Sequence, residues 1–140
     1  MRARPNCNAF AGSQVPRRTP LFITHPIFHL PGYDALHPLS IARVGPVTDI
    51  CRMLGWLSDE NYLESSPVDA DFLSQFHQTD YLAALQQVSI SGRVPTEIRQ
   101  KFSLGTAENP VFPGLFHRVA ASVGGSVLAA RMALEGHVAY

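Results

Sequence analysis

The chain's six histidines are the residues best suited to chemistry, and His25, His29 and His37 share one proline-broken stretch with Asp34. Zinc would need three or four such side chains converging at about 2.0–2.3 Å, usually announced by paired ligands at fixed short spacing. A single His-x3-His with no second pair leaves two readings open: a zinc site built from His25, His29 and His37, or ordinary surface and core-edge histidines. His77-Gln78-Thr79-Asp80-Tyr81 falls at a helix start, where Thr79 suits the cap and Asp80 the positive helix end. Asp69 and Asp71 read as acids of a first helical turn in the same way. Arg43 follows a loop and opens a helix flanked by apolar residues, as a solvated or an anion-facing arginine. Glu108 lies in the loop from Gly105 to Pro113. Turn chemistry accounts for it, and so would a rim carboxylate that accepts hydrogen bonds from a substrate backbone. Local signatures of a Ser-His-Asp or Cys-His pair, a P-loop or a G-x-G-x-x-G turn are missing from the sequence.

The elements that must position these residues follow from periodicity. Leu21 to Thr24 reads as a buried strand whose carboxyl end leads into the ring-rich loop from His25 to Pro38. Ser40 is a candidate cap for a helix whose stripe Val47, Ile50, Cys51, Leu54 predicts one buried face. Pro46 either kinks that helix or starts it, and Gly55 ends it. Tyr62 to Glu64 predicts a second short strand. Pro67 to His77 predicts a helix capped by Asp69 with Phe72, Leu73 and Phe76 inward, and Asp80 to Val88 one capped by Thr79 that buries Tyr81, Leu82 and Leu85. Ser89 to Pro95 reads as a linker and Thr96 to Phe102 as a short amphipathic helix. The longest helix is predicted from about Gly114 to Leu134. Its Gly124-Gly125 pair costs about 2 kcal/mol against two alanines, which close approach of another backbone would justify. His137 to Tyr140 begins another strand.

Strand, helices, strand, long helix, strand is the opening of a parallel sheet with crossover helices. Two or three short parallel strands leave an edge and a face without partners, so the chain reads as the first part of a larger domain. At 140 residues, 46% apolar and 16% charged, it suits one well-buried domain. Net charge is zero, with Arg2, Arg4, Arg17 and Arg18 in an acid-free residue 1–18 leader and a net −4 on the remainder. A short cationic tail on a mildly acidic body is not a nucleic-acid footprint. No apolar run approaches the roughly 18 residues of a membrane span. Cys7 and Cys51 lack metal-type spacing and form no disulfide framework, which fits a reducing cytoplasm.

Four motifs fall in register. They are His37-Pro38-Leu39 with Arg43; Phe76-His77-x-x-Asp80-Tyr81; Gly105-Thr106-x-Glu108-Asn109-Pro110-Val111-Phe112-Pro113-Gly114; and Gly124-Gly125-Ser126. Over about residues 20–140 the chain resembles the histone deacetylase family, above all its bacterial acetoin-utilisation and acetylpolyamine amidohydrolase members. The resemblance implies an α/β fold of the arginase/deacetylase type, three-layered around a mainly parallel sheet. Residues 19–140 would be its amino-terminal portion, truncated before most strands. It implies zinc-dependent hydrolysis of an acetyl-amide, with metal-bound water as nucleophile, a histidine as general base and a tyrosine holding the oxyanion. The substrate would be acetyl-lysine on a protein, an acetylpolyamine or a related small acetyl compound. The family's zinc ligands and catalytic residues have no matching positions here, so the chain alone is expected to hold no zinc and to be inactive. Two positions match as substrate-binding: Arg43, the arginine lining the internal cavity beneath the pocket and associated with acetate departure, and Glu108, near the rim acid that holds the substrate backbone. Ala107-Glu108 stands where the family more often has an acidic pair. A rival from another class is a non-catalytic interaction or regulatory module built on a deacetylase-like half-domain.

Overall fold

The computed structural model describes residues 19–33 and 40–139. The residue 1–18 leader, Asp34 and His37 lie outside that range. Strands β1 (Phe22–Thr24) and β2 (Tyr62–Glu64) pair in parallel, with Phe22 opposite Tyr62 and Thr24 opposite Glu64. Their rings stack at 5.9 Å between centroids. On the other side of β1, Leu21 bridges Ala139 in parallel, and its N–H donates to the Val138 carbonyl at 2.8 Å. The predicted run after Gly136 is therefore strand-like, and β1 is central. Parallel neighbours need long crossovers, and the helices supply them: α1 (Val44–Met53), α2 (Ala70–Leu73), α3 (Thr79–Ser91), α4 (Thr96–Phe102) and α5 (Leu115–Leu134). None of the described helices is long and apolar enough to cross a membrane.

Helix α1 corrects one expectation. Arg43, not Ser40, is its N-cap, and Pro46 sits in the first turn, where a missing N–H breaks no helical bond. The stripe predicted to be buried faces out: Val47, Ile50 and Leu54 are 52%, 55% and 54% exposed, while Thr48 is 2% exposed. Thr48 is tolerated inside because its hydroxyl donates to the Val44 carbonyl at 2.7 Å. Arg52, stacked 4.5 Å over the Tyr62 ring, fixes the inward side against β2.

The second correction is α2. Asp69 caps it as expected, its Oδ1 accepting the Phe72 N–H at 2.7 Å. The helix stops at Leu73, however, whose carbonyl accepts both the Phe76 and His77 N–H groups in a closing turn. Leu73 is buried, but Phe76 is 90% exposed. Helix α3 is capped by Gln78 rather than Thr79 and runs to Ser91, taking in residues read as linker.

The main core lies under α3, α4 and the start of α5. Leu85, Val88, Leu104 and Leu115 are buried there, with Tyr81, Ile98, Phe102, Val111, Phe112 and Phe116 packed around them. Ser89 joins the two long helices: its carbonyl accepts the Gly114 N–H at 3.1 Å and its hydroxyl the Phe116 N–H at 2.9 Å. At the middle of α5, a Cβ on Gly124 would fall on the Ser66 carbonyl oxygen, with the Ser66 carbonyl carbon at 3.0 Å. The close approach invoked for the glycine pair is real, and its source is the segment leaving β2.

Candidate functional site

The carboxyl ends of β1 and β2 open on the same side, where ligands gather in parallel α/β sheets. A cavity of about 240 Å³ lies there between the sheet and α5, lined by Thr24, Phe28, Ser65, Ser122, Gly125 and Ser126 among others. Its walls combine hydroxyls and small residues. The Ser65 N–H and hydroxyl both address the Thr24 carbonyl, at 2.8 and 3.3 Å, which locks the two strand ends together.

The chain leaves β1 through His25, whose Nδ1 accepts the Ile27 N–H at 3.1 Å and caps the 3₁₀ turn Pro26–His29. The ring meets His117 edge-on at 5.6 Å. The Nε2 of His29 and the Nδ1 of His137 are buried with no hydrogen-bond partner among the described residues. Among the described residues no three His, Cys, Asp or Glu side chains gather as a ligand set. The third member of the histidine-site reading, His37, lies outside the described residues.

The loop itself is held by Arg118, which the sequence reading missed. From the first turn of α5 its Nη1 donates to the carbonyls of Ile27 at 2.9 Å and Leu30 at 3.0 Å, and its guanidinium lies 5.5 Å from the centre of the Phe28 ring. No local pattern marks this residue, because its partners are backbone carbonyls some ninety positions away.

The two substrate-binding candidates sit on different elements. Arg43 caps α1, exposed, with its carbonyl accepting the Val47 N–H at 3.1 Å. At about 100° per residue it shares a face with Val47, Ile50 and Leu54. Glu108 is exposed on the loop between α4 and α5. That loop is closed on itself: the Gly105 N–H donates to the Asn109 carbonyl at 2.8 Å, and the Asn109 N–H to the Thr106 carbonyl and hydroxyl at 3.2 and 3.1 Å. Gly105 holds φ +74°, and a Cβ there would lie 2.7 Å from Val94 Cγ2, so any other residue at this turn is strained. This hydrogen-bonded turn presents Glu108 to solvent. Among the described residues, no hydrogen bond or ion pair joins Arg43 to Glu108.

The histone deacetylase domain family matches residues 37–140. The chain is 27% identical over 119 residues to the acetoin utilization protein AcuC of Bacillus subtilis, covering 85% of this chain and 30% of that protein. It is 26% identical over 95 residues to histone deacetylase B of Dictyostelium discoideum, covering 68% of this chain and 22% of that one. Among solved structures, a histone deacetylase homologue complexed with SAHA superposes with a TM-score of 0.80 at 28% identity, over 87% of this chain and 33% of that chain. The homologue from Aquifex aeolicus gives 0.79 at 27% identity with the same coverage. The chain thus spans a third or less of the proteins it matches, and its parallel sheet and crossover helices are those of the arginase/deacetylase α/β fold. It belongs to the histone deacetylase family.

Proposed function

We propose that this chain forms the rim and supporting helix of a zinc-dependent deacetylase pocket that hydrolyses acetyl-amides, and that it is inactive by itself. The observation that carries the reading is the superposition, over 87% of the chain, on a homologue whose structure was solved with SAHA bound. In this reading Glu108 accepts hydrogen bonds from the substrate's backbone at the rim, and Arg43 receives the departing acetate. The substrate is acetyl-lysine, an acetylpolyamine or a related small compound, and nucleic acid and membrane play no part.

Zinc is the metal the family resemblance implies, and the described residues do not fit it. No ligand set is present among them, and His25 already spends Nδ1 on the Ile27 N–H. When bound, zinc would activate water and polarise the acetyl carbonyl, but its ligands must come from residues other than these. Incubated with zinc, the purified chain should release no acetate from acetyl-lysine peptide or acetylspermidine, and zinc-dependent turnover would overturn the inactivity. Residue roles are tested in a chimera in which residues 19–139 replace the matching part of the Bacillus subtilis protein. Arg43→Ala should lower kcat and Glu108→Ala should raise KM, each by about tenfold, on the order of 1.4 kcal/mol. Unchanged kinetics in both variants would refute the assignment.

One observation favours the interaction-module reading: the core under α3, α4 and α5 is buried by residues of this chain, with Val88 at 0% exposure. Cooperative thermal unfolding of the isolated chain with no ANS binding would support it.

A further inference from the structure

The loop after β1 folds round one guanidinium. Arg118 Nη1 bonds the Ile27 and Leu30 carbonyls, and Phe28 turns its ring toward the same group. The buried backbone of Gly32 runs so close that a Cβ there would lie 2.9 Å from Arg118 Cζ and Nε. Among the described residues no carboxylate pairs with Arg118, so its charge strengthens hydrogen bonds to backbone instead. The loop's own bonds are local: the Phe28 N–H donates to the His25 carbonyl and the Leu30 N–H to the Ile27 carbonyl. They fix its shape and not its place. Leu30 is 60% exposed and the main core is built from other residues, so ordering this loop adds little buried apolar surface.

The same anchor serves the loop that carries Glu108. That loop runs directly into α5, where Ser89 pins the first turn through Gly114 and Phe116. Its Phe112 ring meets the Tyr33 ring of the other loop at 5.1 Å. The loop after β1 also leaves the carboxyl end of a parallel strand, the edge at which α/β sheets bind ligands. We propose that Arg118 is a positioning residue for substrate binding, which holds the loop after β1 against the Glu108 loop so that the two form one wall of the pocket rim. The proposal rests on the deacetylase reading above. Arg118 acts through the loops and not on the reacting atoms, so its signature belongs in KM more than in kcat.

The experiment has two arms. In the 140-residue chain, NMR should show a nuclear Overhauser effect between the Tyr33 and Phe112 rings. Arg118→Met should lose it, and Arg118→Lys, which keeps a charged donor for the two carbonyls, should retain it. In the chimera with the Bacillus subtilis protein, Arg118→Met should raise KM for an acetyl-lysine peptide about tenfold and change kcat less than about twofold. Arg118→Lys should recover most of that loss. Gly32→Ala, whose methyl group presses on the guanidinium from the loop's side, should shift KM in the same direction and serves where Arg118→Met does not fold. Adding Glu108→Ala to Arg118→Met should raise KM no further, because the wall that presents Glu108 is already displaced. A ring contact that survives Arg118→Met, a fall in kcat at unchanged KM, no rescue by lysine, or KM effects that multiply would each overturn the proposal. A folded parent chimera that does not deacetylate counts against the catalytic reading, and the role in substrate binding falls with it. The clamp between the two loops is scored by the ring contact in either case.

Discussion

Gly124 and Gly125 are neighbours on α5 with opposite needs. A methyl group on Gly124 would collide with the Ser66 carbonyl, which is backbone and cannot swing aside. On Gly125 the nearest atoms, Ser65 Oγ at 3.6 Å and Ile23 Cγ2 at 3.9 Å, are at ordinary contact. Gly124→Ala is therefore expected to destabilise by about 1–3 kcal/mol through overpacking. Gly125→Ala should gain up to about 1 kcal/mol of helix propensity. Urea unfolding of both variants checks this, and equal effects would contradict the packing. The sequence told that some backbone approaches the pair, since two glycines in a helix need a reason; it could not tell which glycine or which backbone. For Arg43 and Glu108 the residues alone left a solvated and a ligand-facing reading open, and only the family motifs favoured the substrate-binding one, because an exposed arginine and an exposed glutamate carry no signature of their own. Arg118 was not legible at all, since backbone carbonyls contribute nothing to a residue pattern.

The elements show where periodicity suffices and where it does not. The strands, α3, α4 and α5 were readable because apolar spacing, glycines and prolines punctuate them and local packing agrees. The α1 stripe was read correctly as a face but not as an exposed one, since spacing says which side is apolar and not what lies against it. Contacts between elements give two predictions. Arg118→Met removes two charged hydrogen bonds to the loop after β1 and should cost about 1.5–3 kcal/mol. It should also speed hydrogen exchange at the Phe28 and Leu30 amides, whose own bonds lie within that loop; unchanged exchange would show that the clamp is idle. At the other end of the core, Lys101 of α4 donates to Asp80 Oδ2 of α3 at 2.6 Å. This hydrogen bond, with the Tyr81 N–H on Oδ1, holds the Asp80 carboxyl below the usual carboxylate range. A carboxyl whose pKa is lower folded than unfolded stabilises the fold above the unfolded value, and that gain is lost as pH falls through the folded one. Lys101→Met should move the Asp80 titration upward by NMR and leave stability less sensitive to acid. The pair is exposed, so added salt should mimic the variant.

At the scale of the molecule, two apolar regions behave differently. The core under α3, α4 and α5 is closed, with Val88 at 0% exposure, while the α1 stripe is in water. The distinction was invisible in composition, where both regions count equally toward the 46% apolar content. It leads to a contrast that can be measured on the chain itself. Leu85→Ala removes a buried side chain and should cost about 2–5 kcal/mol. Replacing Val47, Ile50 and Leu54 together by glutamine removes more apolar surface in total. It should nevertheless leave the unfolding midpoint nearly unchanged, within about 0.5 kcal/mol per site, because those residues keep more than half of their surface in water in the folded chain. The same triple variant should lower ANS binding and raise solubility, since the patch the dye and other chains would use has gone. A triple variant that unfolds as readily as Leu85→Ala would mean that the stripe is covered within the isolated chain, contrary to its exposure in this structure.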